Sequence, residues 1–145
     1  MSKNNDAELR RAYEDVRIGK TASRSRTITE KDVIAFAGLI DDSNPVHLDA
    51  EYAKTTMFGE RIAHGMHSAS FFTTLIATRL PGIEGIYVSQ DLKFIRPVRI
   101  GDTITAQATV VEKNDAKRRL TLKTTVTNQR GEMVIDGKAV IAVMS

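Results

Sequence analysis

Residues 65–82 read GMHSASFFTTLIATRLPG. Met66, Ala69, Phe72, Ile76 and Leu80 recur at helical spacing, Phe71 and Leu75 fall off that stripe, and no charge occurs before Arg79. A helix that is apolar nearly all round has no face for water and must be buried. Pro81-Gly82 closes it, because proline cannot continue the helical ladder and glycine turns the chain. About 16 residues at ~1.5 Å each make a rod of roughly 24 Å, close to the span of a seven-residue strand.

The sequence that follows supplies the cover. Ile86, Val88, Leu92 and Phe94 share one parity; Ile104, Ala106, Ala108 and Val110 form a second run; Leu120, Leu122, Thr124 and Val126 a third; Met133, Ile135, Ala139, Ile141 and Val143 a fourth. Period-2 alternation marks four strands with one apolar face each. The connections at 97–102, 114–117 and 128–131 are short, which predicts antiparallel neighbours. The expected class is α+β, a hot-dog fold in which a curled antiparallel sheet wraps one long central helix.

Upstream of that helix, residues 1–20 carry Ala7, Leu9, Ala12, Tyr13, Val16 and Ile18 among many charges, a weak helical pattern read as an N-terminal arm. The single domain is expected over 21–145. Residues 21–29 are small, polar and charged, as suits an edge strand. Thr29 before Glu30, Lys31 and Asp32 reads as an N-cap, with Val33, Phe36, Ala37 and Ile40 as the apolar stripe of the helix it starts. Asp41-Asp42-Ser43-Asn44-Pro45 ends that helix; Pro45 stiffens the loop, and Asp49 is placed to cap a short helix beyond it.

At 145 residues, one domain with its own core is expected. The net charge of +3 is scattered in short pieces, which argues against a nucleic-acid face and suits an anionic small ligand. With no cysteine there is no thiolate nucleophile and no cysteine-held zinc. The N-terminal residues lack an apolar leader pattern, and no apolar run reaches the ~20 residues that span a bilayer, so a cytoplasmic protein without membrane contact is expected.

The chemistry gathers between 42 and 65. Asp42 and His47, five apart across a proline-stiffened loop, can converge on one water; an imidazole takes or gives a proton near neutrality and a carboxylate can hold the water beside it. The same residues also fit a plain Asx-turn with an exposed histidine. Gly65 opens the long helix, where an unpaired backbone N–H at the positive end of the dipole can receive an oxyanion; close helix packing explains a glycine there equally well. His64 and His67 with His47 or Asp42 suggest a metal site, but no His-Glu-x-x-His pattern supports one, and no metal is expected. Of the hydroxyls on the buried helix, Ser68, Ser70, Thr73 and Thr74, Thr73 is chosen as the one facing substrate. Leu75 and Ile76 on the same helix are candidates for closing the end of a pocket, and Lys93, Arg96 and Arg99 could contact phosphates.

The run Asp42-x-Asn44-Pro45-x-His47-x-Asp49, with Phe58, Ile62 and His64-Gly65, resembles the MaoC-like, (R)-specific enoyl-CoA hydratase family. The resemblance extends through Leu80-Pro81-Gly82, the stretch from Tyr87 to Val98, and Gly101-Asp102, and covers roughly 21–145. It implies reversible hydration of trans-2-enoyl thioesters to (R)-3-hydroxyacyl thioesters by a homodimer. Asp42 and His47 would activate water, Asn44 orient the pair, and the Gly65 N–H polarise the thioester carbonyl. Phe58 and His64 join the residues expected to line the substrate, and CoA or an acyl carrier protein is the thioester handle, with no other cofactor. Family members often carry serine where this chain has Thr73. Two other readings remain: a hot-dog acyl-CoA thioesterase, which would need a carboxylate near the start of the long helix, and a non-catalytic acyl-thioester-binding protein.

Overall fold

The computed structural model describes residues 12–144. Its elements are strand β1 (Thr21–Thr27), helices α1 (Glu30–Ile40), α2 (Pro45–Leu48), α3 (Ala50–Lys54) and α4 (Gly65–Thr78), then strands β2 (Gly85–Phe94), β3 (Thr103–Asn114), β4 (Arg119–Thr127) and β5 (Met133–Val143). The strands form one antiparallel sheet in the order β1-β3-β4-β5-β2. Helix α4 lies against it, burying Phe72 and Leu75 among Ile104, Leu120, Leu122, Ile135 and Ile141. This is the α+β hot-dog arrangement.

Local signals act as expected at the helix starts. Thr29 Oγ1 accepts from Asp32 N (3.1 Å) while Thr29 N donates to Asp32 Oδ2 (3.2 Å), a reciprocal capping box for α1. Arg26 grips the same carboxylate at 2.7 Å and holds Asp32 down at a pKa of about 2. Asp49 Oδ1 accepts from Glu51 N and Tyr52 N and caps α3. β1 is indeed an edge, and pairs of hydroxyls tie it to β3: Thr21 with Thr109, Ser25 with Thr105, Thr27 with Thr103.

Two expectations about the sheet fail. β2 and β3 are not neighbours: the chain after β2 crosses to the opposite side, and among the described residues β2 pairs only with β5, which leaves its other edge without a strand. The apolar residues of β2 also do not share a face. A bulge between Tyr87 and Ser89 reverses the alternation, so Tyr87 and Leu92 pack on the core while Ile86 and Val88 stand 48% and 44% exposed; Phe94, on the same face as Leu92, lies over Gly65 at the start of α4 and is 54% exposed.

The segment expected to be an arm lies partly outside the described residues, 1–11. From Tyr13 on it is part of the packed body. Among the described residues of this segment the chain forms one 3-10 turn, Tyr13–Asp15. Tyr13 and Val16 are buried in the core; the Tyr13 hydroxyl donates to Asp115 (2.6 Å), and Lys113 Nζ donates to the carbonyls of Tyr13 and Val16. Burial, reinforced by the Asp115 carboxylate, pushes the Tyr13 phenol up to about 12.

Candidate active site

The loop after α1 is built from its own side chains. Asp41 takes a left-handed conformation (φ 59°), which ends α1 and turns the chain outward. Asn44 N donates to Asp42 Oδ1 (3.1 Å), and Asn44 Oδ1 accepts from Val46 N (3.2 Å), capping α2 with Pro45 at its first position. Asn44 therefore sets the angle between Asp42 and the one-turn helix that carries His47. Arg61 clamps the far end of that turn, donating to His47 O (2.7 Å) while paired with Glu30 (2.7 Å).

His47 and His64 stack with ring centroids 3.8 Å apart. His47 Nδ1 lies 2.7 Å from Ile62 O, and a carbonyl can only accept, so Nδ1 carries the proton and Nε2 keeps its lone pair. His64 Nε2 lies 3.0 Å from Asp42 O and by the same reasoning carries its proton there, 3.8 Å from Asp42 Oδ2. Ligand-capable atoms of Asp42, His47 and His64 all lie within 4.8 Å of one another. The constellation is one carboxylate with His47 Nε2 beside it, and the buried His64 Nδ1 has no hydrogen-bond partner. His67 is elsewhere: it stacks on Phe36 (4.8 Å), and burial holds its imidazole below the ordinary value, which keeps it neutral.

Gly65 is the first residue of α4, directly after His64. Its backbone N–H is among the four that have no acceptor within the helix. The ring of Phe94 lies over its Cα so closely that a Cβ would stand 2.8 Å from Phe94 Cε1. Beside this helix start is a cavity of about 500 Å³, lined among others by Phe58, Ile62, Gly65, Ser68, Phe94 and Arg96. Asp42 and His47 are not in its wall, so the His64-Gly65 step joins the carboxylate–imidazole pair to the cavity.

The structure thus brings together Asp42, Asn44, His47, His64 and Gly65, and places Phe58 and Arg96 on the cavity. It separates the other expected substrate contacts. Leu75 and Ile76 are 1% and 2% exposed within the core, Thr73 faces outward from α4, and Lys93 stands exposed on β2. The hydroxyl-bearing residue that lines the cavity is Ser68, one turn beyond Gly65 on the same ridge of the helix.

The chain is similar to known proteins along most of its length. Residues 16–132 match the MaoC like domain family. An (R)-specific enoyl-CoA hydratase of Rhodospirillum rubrum is 50% identical over 90% of this chain and 90% of its own. A 3-hydroxybutyryl-CoA dehydratase of Methylorubrum extorquens is 41% identical over 94% of this chain and 87% of its own. The solved structure of the (R)-hydratase from Aeromonas caviae superposes with a TM-score of 0.87 at 38% identity, covering 90% of this chain and 98% of that one.

Proposed function

Since this chain belongs to the MaoC-like domain family, we propose that it is an (R)-specific enoyl-CoA hydratase, a hydro-lyase that adds water reversibly to trans-2-enoyl thioesters. The observation that carries the site assignment is the locked tautomer of His47, whose Nδ1–H is held by Ile62 O so that a basic Nε2 is left in the same small cluster as the Asp42 carboxylate.

Water held by Asp42 and His47 Nε2 gives up a proton to the pair as its oxygen bonds C3 of the enoyl group. The C2–C3 π electrons shift toward the thioester, and negative charge grows on the carbonyl oxygen. The Gly65 N–H meets that charge at the positive end of α4, where a preorganised donor is typically worth ~3–4 kcal/mol. C2 then takes the proton back from the pair, so H and OH have been added across the double bond; dehydration is the reverse. The thioester itself is the electron sink, and no further cofactor enters the scheme. Phe58 lies along the acyl chain, and Arg96 at the cavity rim approaches the anionic handle, whether CoA or an acyl carrier protein.

The active form in this proposal is a homodimer working in the cytoplasm. Ile86 and Val88 on the open edge strand and Met66 and Thr73 on the outer side of α4 are uncovered, and a second copy would bury them. Thr73 and Lys93 would then meet substrate across the pair. Among the described residues no helix is long and apolar enough to cross a membrane. Sedimentation that finds only single chains would end the dimer proposal.

Loss of the enone absorbance of crotonyl-CoA tests the activity. Hydration is expected with wild type and a fall of about 10²–10⁴-fold with Asp42→Asn. No turnover of crotonyl, octenoyl or longer enoyl thioesters would sink the assignment. Release of free thiol instead would favour thioester hydrolysis, although α4 contains no carboxylate to serve as base or nucleophile.

A further inference from the structure

We propose that the Ser68 hydroxyl is a second donor to the thioester carbonyl oxygen, acting beside the Gly65 N–H; this rests on the hydratase reading above. Ser68 is 1% exposed, and its Oγ has no hydrogen-bond partner. Two other hydroxyls on α4 behave as helical hydroxyls usually do: Ser70 Oγ donates to His67 O (2.5 Å) and Thr78 Oγ1 to Thr74 O (2.7 Å). Ser68 makes no such bond. An unpaired buried hydroxyl destabilises a fold, and an alanine would fill the same space without that penalty. Groups that break local rules in this way are expected where a ligand completes them.

The surroundings point to the ligand. Only Ser68 and Arg96 among the residues lining the cavity have polar side chains, and Arg96 is already engaged by Met133 O (3.1 Å) and Glu132 (3.4 Å). Ser68 follows Gly65 by three residues, and helical side chains lean toward the N-terminus, so its hydroxyl tilts back over the turn whose N–H groups point out of the helix. A group entering this apolar cavity and reaching both donors must present one acceptor oxygen at the end of an apolar chain. The carbonyl of an acyl thioester is such a group, and it gains negative charge during addition of water, so both donors bind the transition state more tightly than the substrate.

The test compares wild type, Ser68→Ala and Ser68→Thr with crotonyl-CoA. Ser68→Ala is expected to lower kcat about 10–100-fold with KM within about threefold, the signature of an interaction made in the transition state. Its melting temperature should equal or exceed wild type, because an unpaired hydroxyl has been removed. Ser68→Thr keeps the hydroxyl, and kcat should return to within about fivefold of wild type. A bound aryl-propenoyl-CoA, whose absorbance shifts to the red as its carbonyl is polarised, should show a smaller shift in Ser68→Ala. An unchanged kcat in Ser68→Ala overturns the proposal, as does a loss of activity that only accompanies a lower melting temperature or weaker dimerisation. Wild type without turnover would remove the hydratase reading and this inference together, whereas an active wild type with an equally active Ser68→Ala removes the inference alone.

Discussion

Replacing Gly65 by alanine adds one methyl group at the point where the carbonyl has to approach, and the structure sets the size of the effect. The new Cβ would lie 2.8 Å from Phe94 Cε1, 2.9 Å from Cδ1 and 3.6 Å from Cζ. Ordinary carbon–carbon contact needs ~3.5–4.0 Å, so the ring must retreat by roughly 0.7 Å or more. Phe94 is 54% exposed and is free to swing outward, which limits the strain to about 1 kcal/mol. Alanine recovers about 0.5–1 kcal/mol over glycine in a helix, and Gly65 has no positive φ to forbid it. The two nearly cancel, and the melting temperature should stay within about 4 °C of wild type. Activity should not be spared. The N–H remains, but the methyl group occupies the space through which a carbonyl oxygen reaches it; losing a contact of ~3 kcal/mol lowers kcat/KM about 10²-fold. Initial rates with crotonyl-CoA and a thermal melt measure both quantities on one preparation. Adding Phe94→Ala should relieve the strain without restoring the rate. Rates within threefold of wild type for Gly65→Ala would refute the role given to this N–H, and a melting temperature lower by more than 10 °C would refute the view of Phe94 as a soft neighbour.

His47→Asn keeps an amide N–H close to the position of Nδ1, able to bond Ile62 O, but removes the basic Nε2; a fall of about 10²–10⁴-fold in kcat with little change in melting temperature is expected, and near-wild-type turnover would exclude His47 as the base. Asp32 is held at a pKa of about 2 in the folded protein against 3.8 ordinarily, foremost by its bond to Arg26. A carboxylate depressed on folding contributes stability above its unfolded pKa and loses that contribution as pH falls through the folded one. Asp32→Asn should therefore be less stable than wild type at neutral pH, the gap narrowing between about pH 4 and pH 2 and vanishing below; denaturant melts across that range would show it, and a gap independent of pH would contradict it.

Much of the site was legible in order along the chain because its parts are local. The Thr29–Asp32 capping box, the Asp49 cap and the proline-started turn at 45 each span three or four residues, and their side chains bond backbone groups within that span. The same holds for the approach of Asp42 to His47, which the Asx bond and the Asn44 cap build from six consecutive residues. Residue type and spacing suffice there, since few conformations satisfy so short a segment.

What sequence alone determined, then, is the α+β class, the buried central helix, the strand segments and the stiff loop that carries Asp42 and His47. The tertiary structure decided the rest. Alternation of apolar residues says that 85–94 is a strand but not which strand it pairs with, and the bulge at Tyr87/Ser89 reverses its faces by a register set against β5. The tautomer of His47 depends on a carbonyl 15 residues away. Which hydroxyl-bearing residue of α4 meets the cavity beside Gly65 depends on how the helix is turned, Ser68 toward the cavity and Thr73 outward. Pairing, ring orientation and cavity lining all arise from contacts between segments remote in the chain, and no local pattern encodes the distance between them.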